Sequence, residues 1–176
     1  KYYYPVEFMA ALLTSVIDNS GKVAEYIYSC RQMGIQILPP DINKSVGTFS
    51  VENGNIRFGL TAIKSVGRPV IQAIIEERKE RGEFKHLKDF IERMGGREVN
   101  KRTIENFIKA GVFDSLGGTR KQFMMIYIQI MDQVNQERKY SMTGQMSLFD
   151  LVDDEQKKEF EIPLPKVGEY EKENKL

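Results

Sequence analysis

The chain has 176 residues, with 26 Lys and Arg against 25 Asp and Glu, a hydrophobic fraction of 41% and a charged fraction of 29%. That is the balance of one or two small globular domains rather than a disordered chain, and no apolar run approaches the roughly 20 residues that span a bilayer, which excludes an integral membrane protein. One Cys and one His exclude a disulfide framework, a Cys-based zinc site and most His-centred metal or catalytic clusters.

Pro5, with Val6, Met9, Leu12, Leu13, Val16 and Ile17 at spacings of three and four, predicts an amphipathic helix entered at a proline and stopped by Asp18-Asn19-Ser20-Gly21. Val23, Ile27 and Cys30 mark a second helix that ends near Gly34. Gln36-Ile37-Leu38 reads as a short extended run, and Pro39-Pro40 forbids helix after it. Phe49 and Val51, then Ile56, Phe58 and Leu60, alternate around Glu52-Asn53-Gly54-Asn55, which predicts a two-stranded ribbon over 48–59. Such a ribbon is marginal alone and must pack on helices.

A short helical segment at 60–64 meets Ser65-Val66-Gly67, and Pro69 opens a helix carrying Val70, Ile71, Ile74 and Ile75 on one face. Leu87, Phe90, Ile91 and Met94 predict a connecting helix broken at Gly95-Gly96, and Ile104, Phe107 and Ile108 predict another ended at Gly111. Thr119 is placed to cap a long helix with Phe123, Tyr127, Ile130, Met131 and Val134 inward. From about Glu137 periodicity fails, and the polar, acidic stretch to Leu176 reads as linker. The start at Lys1, without Met or signal peptide, has the look of a piece of a longer protein.

Charge is segregated along the chain. Residues 57–121 hold fifteen basic and nine acidic side chains, whereas 122–176 hold seven and eleven. A basic middle followed by an acidic tail suits an anionic partner met by one surface only. Within the middle, Lys64-Ser65-Val66-Gly67-Arg68-Pro69 joins two helices through a tight turn, in which Gly67 is expected to take φ > 0 and Val66 to plug the gap between the helices. A turn that feeds a helix N-terminus offers backbone N–H groups to phosphate, flanked here by Lys64 and Arg68. Lys109-Ala110-Gly111-Val112-Phe113 repeats the theme in looser form, with Lys101, Arg102, Arg120 and Lys121 nearby. These residues are the candidate nucleic-acid contacts, directed to the backbone and indifferent to base sequence.

In the tail, Gln145-Met146-Ser147-Leu148-Phe149 sets one Gln and large apolar side chains in a polar stretch, the composition of a docking peptide. Its alternative is a segment folded back on the domain. Cys30 reads as a buried structural thiol and His86 as a surface or capping residue. Glu76-Glu77-Arg78-Lys79-Glu80-Arg81 reads as a solvated helix face, and Tyr2-Tyr3-Tyr4 as a helix start lacking a neighbour rather than a base-stacking platform.

Several ordered blocks carry a resemblance: Tyr4-Pro5-Val6-Glu7-Phe8-Met9-Ala10-Ala11-Leu12-Leu13, then Met33-Gly34-Ile35 through Leu38-Pro39-Pro40-Asp41-Ile42-Asn43, Ile56-Arg57-Phe58-Gly59-Leu60 with Ala62-Ile63-Lys64, Asn100-Lys101-Arg102, and Ala110-Gly111-Val112-Phe113-Asp114 before Leu116-Gly117. Over about residues 2–121 the chain resembles the bacterial replicative DNA polymerase III alpha subunit family. Ser65 departs from the first Gly of many helix-hairpin-helix turns, and the second turn lacks the Gly-x-Gly form. The resemblance implies a mainly α fold: the C-terminal part of a fingers region over 1–41, a tandem helix-hairpin-helix domain with a small β-hairpin over 42–136, and a flexible linker over 137–176. It also implies that 145–149, similar to a Gln-Leu-Ser/Asp-Leu-Phe peptide with Met146 in place of Leu, docks on a sliding clamp.

The partners so implied are double-stranded DNA, the clamp and the other polymerase domains, in the bacterial cytoplasm beside the nucleoid and with no membrane. The family's catalytic aspartates and metal-binding histidines belong to other domains, so no residue here is assigned to two-metal phosphoryl transfer, this stretch is expected to hold no cofactor, and Mg2+ is expected elsewhere in the parent. Two other readings stand beside this one: a protein-interaction module with purely structural hairpins, and a repair- or helicase-type hairpin domain.

Overall fold

A computed structural model describes residues 3–97, 99–142 and 163–165. Helix α1 spans Pro5–Ser15 with Pro5 in its first turn, and α2 spans Ser20–Gln32, where the Asn19 side chain accepts from the Lys22 amide as an N-cap. Three short strands follow, β1 (Ile37–Leu38), β2 (Ser50–Glu52) and β3 (Asn55–Arg57). The expected ribbon is β2 and β3, antiparallel, with Val51 opposite Ile56. It is not alone: β1 pairs parallel to β3, Ile37 opposite Ile56, giving a three-stranded sheet in the order β1-β3-β2. The amides of Ile56 and Phe58 donate to the carbonyls of Gln36 and Leu38, so the extended run before Pro39 satisfies an edge the ribbon would otherwise leave open.

A 3-10 turn at Leu60–Ala62 leads into α3 (Arg68–Arg81), then α4 (Leu87–Met94), α5 (Lys101–Ala110), a second 3-10 turn at Asp114–Leu116, and α6 (Arg120–Met142). His86 is the N-cap of α4, its Nδ1 accepting from the Asp89 amide at 3.0 Å. Thr119 and Gln122 form a reciprocal capping box at the start of α6, 3.2 Å from the Gln122 amide to Thr119 Oγ1 and 2.9 Å from the Thr119 amide to Gln122 Oε1. Helix α6 continues past the expected end at 136, and Arg138 in that extension donates to the Glu92 carbonyl at the end of α4. Gln122 Nε2 also donates to the Pro165 carbonyl at 2.6 Å, which brings the described residues of the tail against the start of α6.

Two hydrophobic clusters form. The smaller joins Met9 and Leu13 of α1, Val23 and Cys30 of α2, and Phe49 and Ile56 of the ribbon. The larger holds Ile42, Leu60, Val66 and the inner faces of α3 to α6, with Phe84, Phe90, Phe107, Phe113 and Phe123 in a run of edge-to-face contacts at centroid distances of 5.0–6.4 Å. The packing therefore does not divide at 41, because the ribbon shares the core of the lead helices. Cys30 is fully buried, and burial pushes its thiol pKa up.

The charged run at 76–81 is solvated at Glu76, Lys79, Glu80 and Arg81 but not at Glu77 and Arg78. Glu77 is 1% exposed, with Arg93 Nε at 3.0 Å, Arg81 Nε at 3.4 Å and Arg97 Nη2 at 3.6 Å. Arg78 donates to the carbonyls of Ile42 and Ser45 at 2.8 and 3.0 Å, and burial lowers its guanidinium from the ordinary value. Period alone cannot reveal this, since the partners come from α4 and from the loop after β1.

Candidate nucleic-acid interface

The first bend, between the 3-10 turn at 60–62 and α3, keeps its polar edge outward. Lys64, Ser65, Gly67 and Arg68 are exposed, while Val66 is buried in the larger cluster as the expected plug. The positive φ expected of Gly67 falls instead on Ser65, at +63°, and Gly67 is extended at φ −72° as the N-cap of α3. A non-glycine residue in the left-handed region costs about 1–2 kcal/mol, so this turn is built on a strained residue where a Gly is the easy choice. A side chain at Gly67 would meet only Pro69 Cδ, at 3.5 Å. The glycine is not demanded by the fold, and it leaves the bend bare for close approach.

While buried Val66 closes the hydrogen-bonded turn over 63–66, the amides of Ser65, Gly67 and Arg68 find no acceptor among the described residues. They lie together at the start of a fourteen-residue helix whose macrodipole is positive at that end. Arg68 Nη2 stands 3.7 Å from Asp18 Oδ2, an ion pair with both side chains about four-fifths exposed. From α5, Asn106 Nδ2 donates to the Lys64 carbonyl at 3.0 Å. Arg102 is four residues before Asn106 and so shares its face of α5, one turn toward the helix start. Lys64 and Arg102 make no ion pair among the described residues, and Lys101 makes a loose one with Asp132 at 3.8 Å.

The second bend differs. Gly111, Val112 and Phe113 are all buried, and Gly111 takes the left-handed conformation at φ +83° as the C-cap of α5. Three of its amides are used internally: Gly111 donates to Ile108, Val112 to Phe107 and Asp114 to Gly111. A Cβ on Gly111 would come within 2.3 Å of Arg120 Nη2 and 2.9 Å of Asp114 Oδ2. That guanidinium is held by Asp114, 2.9 Å away, and donates to the Lys109 carbonyl. Lys109 in turn pairs with Glu105, whose carboxyl it holds below its ordinary value; Tyr127 and Arg102 contribute in the same sense. The expectation that this bend turns its amides outward is corrected: Gly111 closes a buried cap, and Lys109 and Arg120 sit on carboxylates. Lys121 is exposed on α6. The peptide Gln145, Met146, Ser147, Leu148 and Phe149 lies outside the described residues.

The residues sequence reading missed here are Asn106 and Asp18. Asn106 meets the bend across 42 positions, and an isolated Asn in a helix carries no signal of that contact.

The first bend is a hairpin between helices, with Lys64 and Arg68 exposed beside it, and the comparisons identify that motif. Residues 34–123 match the family model described as helix-hairpin-helix motif, half of the chain, and the chain belongs to that family. It is similar to the DNA polymerase III subunit alpha of Saccharopolyspora erythraea, 41% identical over 164 residues, and of Mycobacterium leprae, 39% identical over all 176. It also resembles that of Campylobacter jejuni, 49% identical over 125 residues. These matches cover 93%, 100% and 69% of this chain but 14%, 15% and 10% of the relatives, so the chain corresponds to a small part of a large protein.

Proposed function

We propose that this chain is the duplex-gripping part of a replicative DNA polymerase of the DNA polymerase III alpha type, and that it holds the sugar-phosphate backbone at the first bend. The observation that carries the reading is the set of open amides at Ser65, Gly67 and Arg68 with Lys64 and Arg68 beside them, while Lys101 and Arg102 stand at the start of α5, whose Asn106 touches the bend. Backbone N–H groups at a helix N-terminus take one phosphate, and the cations take its neighbours. None of these groups reads a base edge, so binding is independent of sequence. Lys121, Lys109 and Arg120 stand around the second bend, where Lys109 and Arg120 lie on carboxylates and contribute less.

The test is charge reversal at Lys64, Arg68, Lys101 and Arg102 in a duplex titration at fixed salt. Loss of binding supports the reading, and unchanged binding transfers the chain to the interaction-module class.

The second part of the proposal is that 145–149 docks on a sliding clamp and keeps the polymerase on its template. A Gln followed by a Leu-Phe pair in a polar stretch supports it. Leu148→Ala with Phe149→Ala is expected to abolish clamp binding in a pull-down and to leave duplex affinity unchanged. Retained clamp binding would overturn this part alone. Polymerisation, Mg2+ use and other replisome contacts belong, on this proposal, to the rest of the parent protein in the cytoplasm beside the nucleoid. No described helix is long and apolar enough to cross a membrane.

A further inference from the structure

We infer that Asn106 is a positioning residue for phosphate binding: it locks the Lys64–Ser65 peptide in the one orientation that turns the Ser65 N–H out of the first bend. The inference rests on the duplex-binding reading above and names a residue outside the contact set.

The peptide is gripped from one side. Its carbonyl accepts from Asn106 Nδ2 at 3.0 Å, and its N–H, that of Ser65, has no acceptor among the described residues. In a planar trans peptide the C=O and N–H point to opposite sides, so holding the carbonyl against α5 aims the N–H away from α5 and toward an incoming ligand. A carbonyl can only accept, so the amide nitrogen of Asn106 must face it.

The grip is needed because the orientation is the less favoured one for Ser. Residue 65 sits at φ +63°. Turning the intervening peptide over by half a circle rotates φ to about −120°, out of the positive-φ region that L-residues disfavour. The turned peptide would point the Lys64 carbonyl outward, where its negative end repels phosphate. With Asn106 in place the turn loses a hydrogen bond, and without it Ser65 is free to relax. A Gly at 65 takes both signs of φ about equally and removes the drive to turn.

The inference makes an unusual demand on the variants. In the whole chain, with a short labelled duplex of arbitrary sequence, Asn106→Ala is expected to weaken binding by about five- to tenfold, the fraction of molecules still in the competent orientation. Ser65→Gly added to it restores affinity to within about two- to threefold of the parent, because roughly half of the molecules are then competent. Ser65→Ala added instead leaves binding weak, since Ala carries the same penalty at positive φ. The slope of log affinity against log salt stays constant throughout, no cation having been removed. Asn106→Ala binding like the parent overturns the inference, as does failure of Ser65→Gly to rescue, or rescue by Ser65→Ala as well. Thermal midpoints are read alongside; with Asn106→Ala and its Ser65→Gly derivative melting together, their affinity difference belongs to the bend and not to the fold. Lys64→Glu with Arg68→Glu in the same assay separates the two levels. If that pair leaves binding intact the duplex reading fails, whereas if it abolishes binding and Asn106→Ala does not weaken it, only the role of Asn106 falls.

Discussion

Glu77 sits among six consecutive charged residues, yet three guanidinium groups converge on it and its side chain is 1% exposed. Arg93, the nearest, also donates to the carbonyls of Glu77, Glu83 and Gly82 and stacks 4.2 Å from the Phe84 ring centroid. Truncating the acid removes the nearer of the two carboxylates on largely buried Arg93 and leaves only Asp89, 3.4 Å from its Nη1, a loss at the low end of the about 3–5 kcal/mol that breaking a buried pair costs. Glu77→Ala is therefore expected to lower stability by about 3 kcal/mol in urea unfolding, far more than the same change at exposed Glu76 or Glu80. The Glu52–Arg57 pair responds to acid. Arg57 Nη2 and Nε donate to the two Glu52 oxygens at 2.7 and 2.8 Å, and this hydrogen bonding holds the Glu52 carboxyl below its ordinary 4.5. A carboxyl whose pKa is lower in the folded chain stabilises it fully above that ordinary value and ceases to as pH falls through the folded one. The urea midpoint of the parent should exceed that of Glu52→Gln at pH 7, and the gap should close on acidification below the folded pKa.

Among the elements, the two bends look alike in sequence and differ in use. The first exposes amides, and the second buries its glycine under the Arg120–Asp114 pair. Arg120→Ala is accordingly expected to destabilise the chain by about 1–2 kcal/mol in denaturant, as loss of a half-buried charge pair does, while changing duplex affinity less than Arg68→Ala. The opposite ranking in the titration would restore the second bend as a phosphate site. Apolar spacing places all six helices, because each buries one stripe in one of the two clusters, and the caps at Asn19, His86 and Thr119 mark three of their starts. What spacing cannot carry is contact across the chain. The parallel pairing of Ile37 with Ile56 and the reach of Asn106 to Lys64 depend on tertiary placement, not on local periodicity. The exchange of roles between Gly67 and Ser65 was hidden for a related reason. Glycine permits a positive φ but does not require it, and the extended backbone at 67 leaves the reversal to its neighbour.

For the molecule as a whole, the near-zero net charge conceals a working asymmetry. The basic excess of residues 57–121 includes Arg93, which lies against both Glu77 and Asp89, and Arg120, paired with Asp114, whose charges are locally balanced. On the duplex-binding reading the cations are Lys64 and Arg68 at the first bend and Lys101 and Arg102 at the start of α5, of which Lys64 and Arg102 make no ion pair among the described residues and the other two make loose, exposed ones. Four phosphates neutralised give a slope of log affinity against log salt of about −3.6, or on the order of a hundredfold weaker binding between 50 and 200 mM monovalent salt. Lys64→Ala should bring that slope up by about one and weaken binding equally on unrelated duplex sequences. A slope near zero, or a preference among sequences at constant salt, would mean that the affinity comes from contacts other than backbone phosphates. A slope much steeper than −4 would bring Lys109, Arg120 and Lys121 back into the contact, since no four-cation patch releases that many counterions.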